Sequence, residues 1–174
     1  MNGSKNSPPL TVAAKGAYMP SDLVRISRAT NIPLRFPSSF PSLTVSAMRL
    51  LIVIKEQEPA KFDQCVEQLY DAHWANDKDI SQNEVLVTVL GPILGSMDKV
   101  EQYLQMASTP EIKKALTDNT NEALAKGAFG VPSFIVKRSS TDKEHLFFGS
   151  DRFELMSSFL DLPYQGLDPR SAML

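Results

Sequence analysis

The sequence predicts a helix-rich α/β fold, and three features carry that prediction. Between residues 43 and 125 apolar side chains recur at three- and four-residue spacing, the period of an amphipathic helix. After residue 125 the pattern changes to short β-branched and aromatic runs separated by a polar loop, which reads as a hairpin. A last apolar-periodic run follows Ser150-Asp151-Arg152 and predicts a closing helix.

Residues 1–12 are polar and proline-bearing and contain no strand pattern. A helix is predicted from Pro20-Ser21-Asp22, with Ser21 or Asp22 as cap and Leu23 and Ile26 on its inner face. Residues 31–37 read as extended, because Pro33 and Pro37 push their predecessors out of helical geometry. Helices are then predicted over 46–56 and 60–76, the second carrying Phe62, Cys65, Val66, Leu69, Tyr70, His73 and Trp74. A third, capped by Asp79-Ile80-Ser81, runs towards Gly91-Pro92, and a fourth starts near Ser96-Met97-Asp98. Thr109-Pro110-Glu111 opens a fifth as an N-cap followed by proline at the first helical position, reaching Ala125. Lys126-Gly127-Ala128-Phe129-Gly130 is a helix exit and turn whose glycines can take positive φ. Strands are predicted over 131–137 and 145–149, leaving a domain order of 1–42, 43–125, 126–162 and a tail at 163–174.

Composition excludes several function classes. Eighteen basic against twenty acidic residues, a net charge of -2, argue against nucleic-acid binding, which favours a basic face. The single cysteine, Cys65, can form neither an internal disulfide nor a Cys-x-x-Cys pair, so dithiol exchange is excluded. Its place in a helical run predicts a buried structural thiol. His73 and His145 form no ligand-spaced cluster, so no metal is expected. No run of about 18 apolar residues predicts a membrane helix, and residues 1–6 lack the apolar stretch of a secretory signal.

Helix, glycine-rich turn, X-Pro, strand, hairpin, strand and helix is the order of the C-terminal half of a thioredoxin-like domain. The sharp features are Gly127-Ala128-Phe129-Gly130-Val131-Pro132, Phe148-Gly149-Ser150-Asp151-Arg152, and the long helical stretch ahead of them. Together they resemble the DsbA-like branch that holds kappa-class glutathione transferases and 2-hydroxychromene-2-carboxylate isomerases. Asn6-Ser7-Pro8-Pro9, Lys15 to Leu23, and Ser46-Ala47-Met48-Arg49 resemble the kappa class in particular, so the likeness runs from Asn6 to about Leu162. It implies an α/β thioredoxin-like (DsbA-like) fold with a large all-helical insertion, here helix-rich with a residual β-hairpin.

The resemblance also implies roles. A cis bond at Val131-Pro132 would leave the Val131 N–H and C=O free for the cysteinyl backbone of glutathione; the alternative is a plain strand-entry proline. Ser150 and Asp151 would hold the γ-glutamyl group through helix N–H groups and a charge-assisted bond to its ammonium. Either one could also be only an N-cap. Lys15 and Asn6 resemble residues on the glycyl side, Arg152 one near the γ-glutamyl group, and Asp22 one that reaches the neighbouring subunit's glutathione. Each of these four could equally be an ordinary surface residue.

In the family a strand, helix and strand precede the position of Asn6 and carry a serine that stabilises the glutathione thiolate. Ser4 does not match it, so the expectation is a shortened chain with no thiolate activator, and Phe134, Val136, Leu146 and Phe148 are expected to form an uncovered apolar face. The implied function is a glutathione transferase, acting on a small electrophile or an organic hydroperoxide, as a homodimer, with glutathione as substrate. The alternatives are the related isomerase and a non-catalytic glutathione-binding protein. Location is implied as mitochondrial or peroxisomal, with the cytoplasm as alternative. Ala172-Met173-Leu174 shares with a peroxisomal tripeptide only its small first residue and final leucine.

Overall fold

The structure is a computed structural model and describes residues 2–166; the C-terminal tripeptide Ala172-Met173-Leu174 lies outside the described residues. Among the described residues, seven α-helices and two strands follow one another. They are α1 (Ala13–Thr30), α2 (Val45–Gln57), α3 (Phe62–Tyr70), α4 (Asn83–Leu94), α5 (Met97–Ala107), α6 (Pro110–Ala125), β1 (Ser133–Val136), β2 (His145–Phe148) and α7 (Phe153–Leu160). They divide into two units, Ile32–Asn119 and the described parts of Met1–Asn31 and Thr120–Leu174. The helix-rich fold with a residual hairpin is therefore the one observed.

The unit of residues 32–119 holds the main core. Leu50, Val53 and Ile54 of α2, Cys65 of α3, Leu86 and Leu90 of α4, and Val100 of α5 are all fully excluded from water. Cys65 is one of the positions marked by the three-and-four spacing, and burying each aliphatic side chain stabilises the fold by roughly 1.5–3 kcal/mol. At the end of α2, Glu58 accepts from Lys99, Lys61 and the Tyr103 hydroxyl, which ties the α2 exit to α5. Ser96 caps α5 as expected, its hydroxyl accepting from the Lys99 N–H at 3.2 Å.

Four predicted boundaries move, each for a local reason. Helix α1 begins at Ala13 rather than near Pro20, so Pro20 lies inside it and Ser21 and Asp22 do not cap it. No residue of α1 is buried, so solvent can take the carbonyl that Pro20 leaves without its N–H. The predicted helix over 60–76 ends its α geometry at Tyr70 and continues as a π turn, Asp71–Ala75. There the Trp74 carbonyl accepts from the Arg35 N–H of the extended segment, and Asn76 donates to the Asp71 carbonyl. Helix α4 starts at Asn83 with no side-chain cap, because Asp79 is spent on the preceding turn, accepting from the Ser81 N–H at 3.1 Å. It also runs through Pro92 to Leu94 and ends on Gly95 at φ 104°.

Within the other unit the hairpin pairs Phe134 with Phe147 and Ile135 with Leu146. Residues directly opposite share a face, so the expected grouping of Phe134 and Val136 with Leu146 and Phe148 is wrong. One face carries Phe134, Val136, His145 and Phe147, and α7 covers it through Phe153 on Phe134 (5.4 Å between centroids) and Phe159 on His145 and Phe147. The other carries Ile135, Leu146 and Phe148, and Phe129 stacks on Phe148 with centroids 4.4 Å apart. Among the described residues the sheet has only these two strands, and Met156 is the sole buried side chain of this unit.

Candidate functional site

The site is built around the turn between α6 and β1. Helix α6 ends in a Schellman motif: the Ala128 N–H reaches the Ala123 carbonyl, the Gly127 N–H reaches that of Leu124, and Gly127 takes φ 86°. Gly130 does not adopt positive φ, contrary to expectation. Its small size serves a close approach instead, since a Cβ there would lie 2.8 Å from Phe148 Cε2. The Val131-Pro132 bond is cis, as the resemblance implied. A second cis bond, Phe40-Pro41, sits in the other unit and carried no sequence signal beyond the X-Pro pair itself.

From Phe129 to Pro132 three of the four carbonyls are engaged. Phe129 O accepts from Asn6 Nδ2 (2.8 Å), Gly130 O from the Ser133 hydroxyl (2.7 Å), and Pro132 O from the Gly149 N–H (3.0 Å). Val131 differs. It is 91% exposed, and neither its N–H nor its C=O has a hydrogen-bond partner among the described residues. An exposed residue with both peptide groups open can take up a short stretch of peptide-like backbone as an added strand does.

The bond from Gly149 to Pro132 carries the chain from this edge directly into Ser150, Asp151 and Arg152. All three are exposed, and the Asp151 carboxylate meets the Arg152 guanidinium at 3.0 Å. Gly149 sits at φ 108°, which favours glycine; a Cβ there would also lie 2.5 Å from Asp151 Oδ1, a contact that the exposed Asp151 side chain could relieve by turning. Helix α7 starts two residues later than expected, at Phe153, with Arg152 at the cap position and no side-chain cap. Ser150 and Asp151 thus form the turn before the helix rather than its first residues, and neither is its N-cap.

Asn6 and Val131 are brought to one loop, and Ser150 to Arg152 lie one hydrogen bond away from it. Lys15 and Asp22 are placed on α1, and no hydrogen bond or ion pair joins them to that loop among the described residues. Lys15 is exposed in the first turn. Asp22 accepts from the Tyr18 hydroxyl at 2.7 Å and lies 3.7 Å from Arg25, and its carboxylate holds the Tyr18 phenol above the usual range. The stacking of Phe129 on Phe148 and the tether of Asn6 to Phe129 had no sequence signal, since both join residues distant along the chain. Among the described residues no group of three His, Cys, Asp or Glu side chains is arranged to hold a metal.

Residues 1–161 match the DSBA-like thioredoxin domain. Glutathione S-transferase kappa 1 of Homo sapiens is 30% identical over 174 residues, covering 97% of this chain and 76% of that protein. The chain belongs to the kappa-class glutathione transferases of the DsbA-like family. Two solved structures share its fold at lower identity. One is a 2-hydroxychromene-2-carboxylate isomerase, with TM-score 0.68, 21% identity, and coverage of 92% of this chain and 72% of that one. The other is the cytosolic disulfide reductase DsbM of Pseudomonas aeruginosa with GSH, with TM-score 0.61, 17% identity, and coverage of 86% and 76%. Kappa membership makes this an enzyme of the glutathione transferase type. These two fold relatives carry the names of other activities, an isomerase and a disulfide reductase, so fold alone does not choose among them.

Proposed function

We propose that this protein binds glutathione along the Val131 edge and serves conjugation of its thiolate to small electrophiles or reduction of organic hydroperoxides. One observation carries the reading: Val131 presents an unpaired N–H and C=O on an exposed cis turn whose neighbouring carbonyls are all tied down. The cysteinyl residue of glutathione has the complementary backbone groups. Asp151, next along the chain from that edge, supplies a carboxylate for the γ-glutamyl ammonium, with Ser150 and Arg152 for the carboxylate beside it. Lys15 is the cation offered to the glycyl carboxylate. A kappa-class relative that carries glutathione in its name, and a fold relative solved with GSH, support the choice of ligand.

In conjugation the thiolate sulfur forms a thioether with an electrophilic carbon, and the leaving group departs with its electron pair. In peroxide reduction it takes the distal oxygen, the alcohol leaves, and a second glutathione resolves the sulfenic acid as a disulfide. The reading assigns binding residues and no thiolate-activating group. It carries a homodimer and a mitochondrial or peroxisomal location as further parts of the same proposal.

Titration calorimetry of glutathione into the chain tests it, with circular dichroism to establish folding. Saturable binding that weakens about tenfold or more on Asp151→Ala is expected, since a charge-assisted hydrogen bond contributes about 1.5–3 kcal/mol. A folded chain that gives no heat with glutathione would overturn the reading. Turnover of hydroxychromene carboxylate in preference to electrophiles would move it to the isomerase.

A further inference from the structure

We infer that the end of the hairpin away from Val131 holds a second site, an anion subsite that takes a phosphate group through Arg138, Lys143 and His145. A cavity of about 340 Å³ opens there, lined by Arg138, Asp142, Lys143, His145 and Phe159. Strand β1 separates it from the Val131 edge, since Val131 precedes the strand and Arg138 follows it. Four extended residues span roughly 13 Å. The inference stands apart from the glutathione reading.

The hairpin loop sorts its charges. Glu144 is engaged by Lys126 at 3.2 Å and Lys137 at 3.6 Å, and none of these three lines the cavity. Arg138 and Lys143 make no ion pair among the described residues, so within the lining Asp142 alone stands against two fixed cations. Arg138 is also held ready. Its Nε donates to the Phe159 carbonyl, and its guanidinium carbon lies 4.6 Å from the centre of the Phe159 ring. These contacts fix the plane of the guanidinium and leave its two terminal nitrogens without a partner. That pair of donors matches two oxygens of one phosphate. The bond to Phe159 also covers a carbonyl at the end of α7, where the negative helix end would otherwise oppose an anion. The half-buried His145 ring lies 4.7 Å from the same phenyl ring and brings an imidazole N–H to the cavity. Lys143, exposed on the loop, adds a point charge that can swing onto the ligand.

Titration of the isotope-labelled chain with inorganic phosphate, followed by amide and Arg138 Nε–H resonances, tests this. Saturable shifts confined to residues 138–145 and the end of α7 are expected. Arg138→Gln is expected to weaken binding about tenfold, through the loss of charge-assisted donors. Lys143→Gln should weaken it about two- to fivefold, as for an exposed ion pair. Lys143 is exposed and unpaired, so its variant carries the test if the arginine variant does not fold. Phenyl phosphate is titrated alongside. Tighter binding of the ester assigns the site to a phosphorylated small molecule, and equal or weaker binding assigns it to free phosphate. Saturating glutathione is expected to leave the phosphate affinity unchanged, and displacement by glutathione would mean that the two sites are one. Shifts reproduced by sodium chloride at equal ionic strength would mean an adventitious ion only, and the inference falls. Wild-type affinity in both variants overturns it as well. If glutathione fails to bind, the glutathione reading falls alone and the phosphate result stands.

Discussion

Gly130→Ala tests the geometry of the site most directly. An alanine Cβ at this position would fall 2.8 Å from Phe148 Cε2 and 3.2 Å from its Cζ, short of ordinary contact at 3.4 Å by about 0.6 Å. The Phe148 ring already stacks on Phe129, while its 37% exposure leaves some room to turn outward. Overpacking of this kind costs typically about 1–3 kcal/mol, and the partial exposure places it near the lower half of that range. For a chain of this length each kcal/mol moves Tm by roughly 2–4 °C, so a fall of about 2–8 °C is expected. If the turn yields instead of the ring, Val131 moves by a similar few tenths of an ångström. Hydrogen bonds from a ligand to its peptide then stretch towards the limit of useful geometry. Glutathione affinity should fall about fivefold or more, as each such bond contributes about 0.5–1.5 kcal/mol. Thermal unfolding followed by circular dichroism and calorimetric titration read the two effects separately. A variant with wild-type Tm and wild-type affinity would refute the close packing of Gly130 on Phe148.

Three further outcomes follow from the other unit. Leu86→Ala, at a fully buried position of α4, is expected to cost about 2–5 kcal/mol in urea unfolding, and a loss under 1 kcal/mol would contradict its place in the core. Cys65 is fully excluded from water and burial pushes its thiol up, so it should resist an aromatic disulfide reagent until the protein unfolds; rapid native-state labelling would count against the core as described. Hydrogen bonds from the Ser38 backbone and hydroxyl, with the Arg35 guanidinium beside them, hold the Asp77 carboxyl below its ordinary value. A carboxyl depressed in the folded state stabilises fully above its unfolded pKa, about 3.9, and loses that contribution as pH falls through the folded value. The stability gap between wild type and Asp77→Ala should therefore be constant at neutral pH and close on acidification, and a gap unchanged down to about pH 2 would refute the assignment.

The sequence by itself determined the helices and the candidate turn. Periodicity marked Cys65 and Leu69 as inner positions, because a buried stripe needs apolar residues every three to four positions whatever the partner. Thr109-Pro110 and Ser96 marked helix starts, because capping is a local event. Gly127 to Pro132 was legible as well, since turns demand particular residue types, whereas Ser150 and Asp151 read as a helix start and form the turn before it. Helix starts failed wherever a tertiary or solvent effect outweighed the local signal, as at Pro20 and at Asp79.

Tertiary structure alone decided the rest. Strand register fixed which apolar residues share a face, separating Phe134 from Leu146 and Phe148. It also decided that Gly130 is needed for the approach of Phe148 rather than for its φ. The union of Asn6 with Phe129 joins residues 123 positions apart. Such a contact leaves no periodic or compositional mark, because its energy depends on where the fold carries the two groups rather than on what stands next to either of them.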